Sequence, residues 1–172
     1  MEPLTHLDSE GRPAMVDVGA KPVTARRALA EARVTLPAIV ATRLEGGELD
    51  SAKGPVLHTA ILAGIQAAKK TGELIPFCHP LALERVRVTI VIEPAPAGTA
   101  LHGSATAVIR CEAALHGRTG VEMEALTGAA VAALTVVDMC KALSHELVIH
   151  GLRLLEKEGG RRTVRDGVLI QP

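Results

Sequence analysis

The sequence predicts an α+β fold in which an antiparallel sheet carries its helices on one face. Segments in which apolar and polar residues alternate indicate strands, and segments with apolar stripes at helical spacing lie between them. The hydrophobic fraction is 48%, yet Phe77 is the only aromatic residue of the chain. A core of Ala, Val, Leu and Ile lets backbones approach closely, which favours helices packed tightly on a sheet.

The first half of the chain contains one strand and two helices. Alternation over residues 28–36 predicts a half-buried strand. Pro37 suits the first turn of a short helix that the pair Gly46–Gly47 would end. The next helix begins at Pro55 and ends before Gly72, because proline favours a helix start and glycine the position after its end.

The second half of the chain supplies three further strands and one long helix. The helix is apolar around much of its circumference, so we expect it to be largely buried. In order, the predicted elements are a structured loop over 73–83, a strand over 85–92, a turn over 93–98, a return strand over 100–112, a loop over 113–120, the long helix over 121–143 and a strand over 147–156.

Element order further narrows the architecture. If the two early helices form one crossover, the order becomes the βαβ–βαβ pattern of a ferredoxin-like plait, with helices on one sheet face. Residues 23–160 would form this single domain, preceded by an N-terminal arm over 1–22 and followed by a basic tail over 161–172. The opposite sheet face would be decorated by polar side chains or covered by a partner subunit. The residues predicted on that face are Arg27, Glu31, Arg33, Arg85, Arg87 and Thr89.

Composition excludes several classes of function. Lys and Arg together number 19, as do Asp and Glu, so a nucleic-acid binder with its basic excess and stacking aromatics is not expected. Near-zero net charge favours association into an oligomer. Cys78, Cys111 and Cys140 are an odd number without a CxxC pair, which argues against a disulfide framework. No signal peptide and no stretch of about 18 apolar residues is evident, so a cytoplasmic protein is expected.

Two loop motifs can carry chemistry. Lys53-Gly54-Pro55 precedes a predicted helix, whose N-terminal N–H groups and dipole favour an anion; a solvated lysine is the simpler interpretation. The other motif is Pro76-Phe77-Cys78-His79-Pro80. It places His79 between two prolines, which hold the histidine in an extended conformation. His79 is either a proton-transfer group or part of a rigid loop packed on the core.

Two helix motifs add carboxylates and a lysine. Glu122 and Glu124 flank Met123 at a predicted helix start, where acidic residues are also common for electrostatic reasons alone. Asp138 and Lys141 share one face of an otherwise apolar helix. Such a charged pair is expected to be buried with partners or to line a cavity, because an isolated buried charge costs several kcal/mol. It is either a structural ion pair or an acid–base pair.

Missing motifs narrow the chemistry further. The sequence has no P-loop, no G-x-G-x-x-G dinucleotide fingerprint and no H-E-x-x-H or Cys/His finger spacing, so a dedicated metal site is not expected. Cys111 and Cys140 are interpreted as buried small hydrophobes.

The motifs together resemble one family. The matching strings are Met15-Val16-Asp17-Val18 with Lys21, Lys53-Gly54, the segment 63–69, Cys78-His79-Pro80-Leu81, the GVEMEALT segment 120–127 and the DMCKA segment 138–142. On these strings the chain is similar to the MoaC family of molybdenum cofactor biosynthesis over roughly residues 5–160. The GVEMEALT and DMCKA strings are the most specific of them. Leu154-Leu155-Glu156-Lys157 before Gly159-Gly160 also fits.

The resemblance implies an activity and an assembly. Members of this family convert a cyclised GTP derivative, made by an upstream radical GTP cyclase, into cyclic pyranopterin monophosphate with release of pyrophosphate. They have a ferredoxin-like protomer and form homohexamers, trimers of dimers, with active sites at a subunit interface. No resident cofactor is implied, and the sequence leaves open whether Mg²⁺ accompanies the substrate phosphates.

The resemblance also implies the site residues. The catalytic positions carried over are Asp138, Lys141, Lys53, His79 and Glu122. The substrate-binding positions are Phe77, Cys78, His79, Met123, Glu124, Arg26 and Lys157. Phe77 stands where the family pattern has leucine, which keeps the position apolar. Lys53, Arg26 and Lys157 can neutralise a triphosphate, and the remaining acids and bases can serve the proton transfers of ring opening and closure.

Two alternatives remain at this stage. A non-catalytic plait domain that binds a small anion would not need Asp138, Lys141, Glu122 and Glu124 to converge with His79. A GTP cyclohydrolase would need a Cys/His metal site. Helix geometry adds one constraint, because Glu124 and Asp138 would lie about 21 Å apart along a continuous helix. The sequence therefore predicts either a site shared between subunits or glutamates on a loop that folds back.

Overall fold

The computed structural model describes residues 10–44, 47–51, 53–95, 103–160 and 162–170. The strands are β1 (Thr24–Leu36), β2 (Asp50–Ser51), β3 (Gly54–Pro55), β4 (Arg85–Pro94), β5 (Ala105–Gly117), β6 (Val148–Glu158), β7 (Thr163–Arg165) and β8 (Val168–Ile170). The helices are α1 (Ala38–Ala41), which continues as a 3₁₀ turn over Thr42–Leu44, α2 (Val56–Lys69), α3 (Thr71–Leu74) and α4 (Glu122–Cys140).

A six-stranded antiparallel sheet organises the chain. Its strand order is β4-β5-β1-β6-β7-β8, while β2 and β3 pair separately as a small hairpin. Among the four long strands, β1 lies between β5 and β6, and β4 pairs with the outer side of β5. Helices α2 and α4 pack on the same face of this sheet. This arrangement confirms the α+β prediction of a ferredoxin-like plait.

The core lies between the sheet and the two long helices. Alternate residues of β1 face the helices and are fully buried, as the alternation in the sequence predicts; Ala30 pairs with buried Cys111 and Val34 with buried Ala107. Because these side chains are small, the helices lie close to the strands. The helix-facing side chains of β4, including Val88, complete the layer.

The closest helix contact is made by two glycines. A Cβ atom on Gly64 of α2 would lie 2.8 Å from the carbonyl oxygen of Gly128 in α4. A Cβ atom on Gly128 would lie 2.5 Å from the sulfur of Cys111 on the sheet below. Since real Cβ contacts are longer, the helices could not approach each other and the sheet this closely with larger residues.

Helix α4 corrects one expectation about membranes. By length and composition, Glu122–Cys140 is apolar enough to cross a membrane, so the expectation that the chain has no such stretch is wrong. Half of this stretch is buried inside the fold, including Ala125, Ala129 and Ala132. Its apolar character is therefore accounted for by packing against the sheet and α2.

The sheet face away from the helices carries an ion-pair network, in agreement with the predicted set of polar residues. Glu31 lies at its centre, 1% exposed, and its carboxylate contacts Arg110 at 3.1 Å and Arg153 at 3.2 Å. Burial opposes ionisation of Glu31, but hydrogen bonds from the two guanidinium groups hold its pKa below the ordinary value. Nearby, Arg27 bridges Glu112 and Glu156.

Several element boundaries differ from the prediction. Strand β1 begins at Thr24 rather than at residue 28. The predicted loop over 113–120 is mostly strand, because Ala113 and Leu115 pair with β1 and are buried. Glycines at 117 and 120 mark the end of this strand rather than a long loop. The predicted loop over 73–83 begins inside α3.

Further differences lie near the chain ends and turns. The predicted basic tail contains β7 and β8, a hairpin that extends the sheet beyond β6. The predicted turn over 93–98 starts later, since β4 runs to Pro94. Residues 1–9 of the arm, Gly46, residues 96–98 of the turn and residues 100–102 of the return strand lie outside the described residues.

The glycine contact leads to a stability prediction. Helix propensity alone would make Gly128→Ala stabilising by about 1 kcal/mol. We expect the variant instead to be destabilised by about 1–3 kcal/mol, because the new methyl overlaps the Cys111 sulfur. Chemical denaturation measures the effect. The double variant Gly128→Ala with Cys111→Ala removes the sulfur and should cost less than the sum of the two single changes; strict additivity would contradict the overlap.

Candidate functional site

A cavity of about 690 Å³ opens where the N-terminal arm, the loop after α3 and the start of α4 meet. This volume is within the range of small-molecule sites. All substrate-binding residues that the sequence assigns line it, together with Glu122. They are Arg26, Phe77, Cys78, His79, Glu122, Met123, Glu124 and Lys157. The structure therefore brings these residues together in one cavity, and the role of each residue stays a prediction.

Glu124 is the most unusual acid of the cavity. It lies in the first turn of α4 and is only 4% exposed. Burial, with repulsion from the Glu122 carboxylate, raises the pKa of Glu124 to about 7. The carboxyl group is therefore divided between its protonated and ionised forms near neutral pH, so it can either donate or accept a proton.

Glu122 has a different environment on the same turn. Its carboxylate contacts the Lys157 ammonium at 2.5 Å, and both side chains are about one quarter exposed. A Cβ atom on Gly120 would overlap the Glu122 carboxylate, so the glycine lets this side chain fold back over the loop. Lys157 projects from β6 and thus ties the start of α4 to the sheet. Two adjacent carboxyl groups consequently differ, one paired with a cation and one buried.

The histidine is fixed by the N-terminal arm. His79 Nε2 lies 2.9 Å from the carbonyl oxygen of Val16. Because a carbonyl only accepts hydrogen bonds, Nε2 donates its proton and Nδ1 is the nitrogen able to take one up. Val16 and Val18 also line the cavity. The arm, at least over its described residues, therefore forms one wall of the site.

Among the residues that the structure describes, four cationic side chains line the cavity. Arg26 projects from β1, its Nε 3.4 Å from the Gly117 carbonyl oxygen, and it lies across the turn at Gly159–Gly160, where a Cβ atom on Gly160 would overlap its guanidinium. Lys157 belongs to the same wall. Lys21 and Arg118 complete the set, and Arg118 Nε donates to the Lys21 carbonyl oxygen at 3.0 Å. These cations can neutralise a polyanionic ligand.

Some residues that line the cavity are absent from the site residues assigned from the sequence. Arg118 and Thr119 line the cavity but were not among the assigned site residues, and Lys21 was noted only within the family motif. Arg118 stands between Gly117 and Gly120, directly before the GVEME segment. This position, a cation in a glycine-flanked loop beside a motif of assigned site residues, is the sequence feature that could have identified Arg118 as a cavity residue.

A second cluster forms at the other end of α4. Lys53 Nζ lies 2.7 Å from one Asp138 carboxylate oxygen, and Lys141 Nζ lies 2.7 Å from the other. Hydrogen bonds from Lys141 and Lys53 lower the pKa of Asp138 to about 2. The three side chains are about half exposed, so the expectation that this pair is buried or lines a cavity is wrong for the single chain. The physical reason is that the last turn of α4 presents residue 138 to solvent.

The two clusters do not meet within one chain. None of Lys53, Asp138 and Lys141 lines the cavity. Glu124 and Asp138 belong to one continuous helix, which places them about 21 Å apart along its axis. The competing prediction of glutamates on a folded-back loop is wrong, because Glu122 and Glu124 lie in helical turns.

The cysteines are unsuited to nucleophilic roles. Burial, with the nearby Glu124 and Glu122 charges, raises the pKa of the Cys78 thiol. Cys111 and Cys140 are fully buried among core residues, as predicted from the sequence. Since the thiolate is the nucleophilic form, a raised pKa makes attack by Cys78 unfavourable, and an apolar or hydrogen-bonding contact is the role its position supports.

Comparison with known proteins adds independent findings. Residues 15–160 match the sequence profile of the MoaC family. The cyclic pyranopterin monophosphate synthase of Xanthomonas oryzae pv. oryzae is 53% identical over 161 residues, which cover 94% of this chain and 92% of that protein. Proteins of the same name from Xanthomonas axonopodis pv. citri and Chloroflexus aggregans are 52% and 51% identical, with the same coverage of both chains.

The buried acid leads to a pH-dependent stability prediction. The pKa of Glu124 rises from 4.5 in the unfolded chain to about 7 in the folded chain. The free energy of unfolding therefore falls as pH rises from 4.5 to about 7, because the folded chain holds this proton more tightly. We expect Glu124→Gln, which resembles the protonated acid, to gain up to about 3 kcal/mol relative to wild type between pH 4.5 and pH 8. Denaturation at matched protein concentration measures this difference. A variant effect that is the same at both pH values would contradict the raised pKa.

Proposed function

The chain belongs to the MoaC family, and we propose that it is a cyclic pyranopterin monophosphate synthase of molybdenum cofactor biosynthesis. The substrate would be a cyclised GTP derivative, 3′,8-cyclo-7,8-dihydro-GTP, and the products cyclic pyranopterin monophosphate and pyrophosphate. The observation that carries the proposal is the cavity, which combines a carboxyl group whose pKa is raised to about 7 with several cationic side chains in its described lining.

The acids and bases of the cavity suit the rebuilding of a ring system. Opening and closing the guanine-derived rings needs protons to leave some atoms and arrive at others. Glu124 is available in both protonation states near pH 7, and Nδ1 of His79 can accept a proton while its Nε2 is held by Val16. Glu122, whose carboxylate contacts the Lys157 ammonium, is a second carboxyl group of the cavity that can take part in these proton transfers.

The cations suit the phosphate chemistry. Cyclic phosphate formation joins a substrate hydroxyl oxygen to the α-phosphorus, while the bond from this phosphorus to the bridging β-phosphate oxygen breaks and pyrophosphate leaves. The hydroxyl proton passes to a base. Negative charge grows on the departing pyrophosphate, and Arg26, Arg118 and Lys157 lie where they can neutralise it.

We further propose that the active site is shared between subunits. The Lys53–Asp138–Lys141 cluster contains one of the two most specific family strings, DMCKA, but lies at the opposite end of α4 from the cavity. Pairing the cavity of one subunit with the cluster of another would bring all assigned residues to one substrate. The homohexamer implied by the family resemblance, a trimer of dimers, supplies such an interface.

Three accompanying assignments belong to the same proposal. The upstream partner in function would be a radical GTP cyclase, which supplies the substrate. The described residues include no group of three or more His, Cys, Asp or Glu side chains suited to a metal, so Mg²⁺, where it takes part, would arrive on the phosphates. A cytoplasmic location is supported by the three free cysteines, which suit a reducing compartment.

Turnover by lysine variants tests the activity. We expect Lys53→Ala and Lys141→Ala each to lower product formation by about 10²–10⁴-fold, because each removes one acid–base or charge-stabilising group. Release of pyrophosphate and fluorescence of the oxidised pterin from the cyclised GTP substrate measure it. Lys69→Ala, which removes an exposed lysine at the end of α2, is the matched control and should keep full activity. Near-normal turnover by both site variants would refute the assignment.

Mixed oligomers test the shared site. We expect inactive Glu124→Ala and inactive Lys141→Ala proteins to regain partial activity when they are denatured together and refolded. Some sites then combine the intact cavity of one variant with the intact cluster of the other. Mass spectrometry confirms that hybrids form, and the same turnover assay reports activity.

The matched control mixes two variants of one cluster. Lys53 and Lys141 contact the same carboxylate, so hybrids of Lys53→Ala and Lys141→Ala contain no intact cluster and should stay inactive. Confirmed hybrids of the first pair without activity would rule out sharing between subunits, and equal recovery in both mixtures would do so as well.

A further inference from the structure

Lys53 lies on a hairpin with little stability of its own. Strands β2 and β3 have two residues each, and isolated two-stranded hairpins are marginal in water. Within the hairpin, the Ser51 hydroxyl donates to the Gly54 carbonyl oxygen and accepts from the Lys53 N–H. These contacts shape the turn but do not connect it to the rest of the fold. Something outside the hairpin must hold Lys53 against Asp138.

Glu48 supplies this connection. Its Oε1 accepts hydrogen bonds from the N–H groups of Leu49 and Leu57, both at 2.8 Å. Its Oε2 accepts from the N–H of His58 at 3.0 Å and from the His58 ring. One carboxylate therefore receives four donors, which join the strand entering the hairpin to the helix leaving it.

The same contacts replace a missing helix cap. Pro55 occupies the N-cap position of α2 and makes no side-chain hydrogen bond to the helix. The first N–H groups of a helix need partners, and an anion there is favoured by the helix dipole. Glu48 meets both requirements from outside the helix. The Val56 N–H bonds to the Leu49 carbonyl oxygen and closes the base of the hairpin in the same place.

We propose that Glu48 is a positioning residue for Lys53: its carboxylate fixes the β2–β3 hairpin on the start of α2 and so places the Lys53 ammonium against Asp138. Glu48 does not touch the Asp138–Lys141 pair through any described hydrogen bond, so it acts through the hairpin. Its relevance to turnover rests on the proposed function, while the placement of Lys53 does not.

Carbodiimide cross-linking reads this placement directly. The reagent joins a carboxylate to an amine in contact with it, and Asp138 has two such amines, Lys53 on the hairpin and Lys141 beside its own helix. Mass spectrometry of digested protein gives the ratio of the two links in one sample. The Lys141 link serves as the internal reference, because it does not involve the hairpin.

Glu48→Gln is the informative variant. The amide keeps the size of the side chain but offers one acceptor oxygen and turns N–H groups toward the His58 donor. We expect the Lys53–Asp138 link to fall relative to the Lys141–Asp138 link. Glu84→Gln is the matched control, since Glu84 also accepts from a histidine ring and its backbone N–H, those of His116, and its ratio should not change.

The outcomes separate the alternatives. If the ratio of the two links in Glu48→Gln equals the wild-type ratio, the inference is overturned. This holds also where both links fall equally, because equal loss indicates a general loss of structure and no specific displacement of Lys53. If Glu48→Gln does not fold, Glu48→Asp retains both acceptor oxygens on a shorter side chain and is expected to lower the same ratio.

Turnover completes the test. We expect Glu48→Gln to lose about 10–100-fold in kcat, as displacement of a catalytic group by about 1 Å can do, while Glu84→Gln keeps the wild-type value. A lower ratio with unchanged kcat would overturn the positioning role. If wild-type protein makes no product, the proposed function fails, and the cross-link ratio still decides whether Glu48 places Lys53.

Discussion

The close packing of α2 against α4 over the sheet limits where polar side chains can lie in this fold. Gly64 and Gly128 let the helices touch, and Gly128 also lets α4 approach Cys111 on the sheet. A helix held this closely on two sides has little room for polar side chains along its middle. The charged side chains of α4 are consequently confined to its ends, where Glu122 and Glu124 begin the helix and Asp138 lies in its last turn.

This separation gives two acidic residues of one helix opposite electrostatic properties. Glu124 is 4% exposed in the cavity that the arm and the loop after α3 also line, and burial raises its pKa to about 7. Asp138 is half exposed between two ammonium groups, which lower its pKa and keep it ionised. One end of α4 therefore offers a group that exchanges protons near pH 7, and the other offers a fixed charge cluster.

Much of the fold could be predicted because alternation and helical stripes report which face of each element is buried. The strand over 28–36 and the ionic face around Glu31 followed from this pattern alone. The extension of β5 through Leu115 could not, because glycines beside it are equally typical of loops. The hairpin of β7 and β8 was also missed, since three-residue strands are too short to show a period.

Residue types at short range were enough to predict the fold class and the family, and to identify the motifs from which the candidate site residues come. The distance between Glu124 and Asp138 stayed open until the structure placed both residues in one continuous helix, which separates them by about 21 Å along its axis. Three features required the folded chain: the Val16 carbonyl oxygen accepts a hydrogen bond from His79, Arg118 lines the cavity, and Glu48 accepts hydrogen bonds from the start of α2. These contacts join residues whose separation along the chain carries no periodic signal, so they arise only when the sheet and helices bring the loops together.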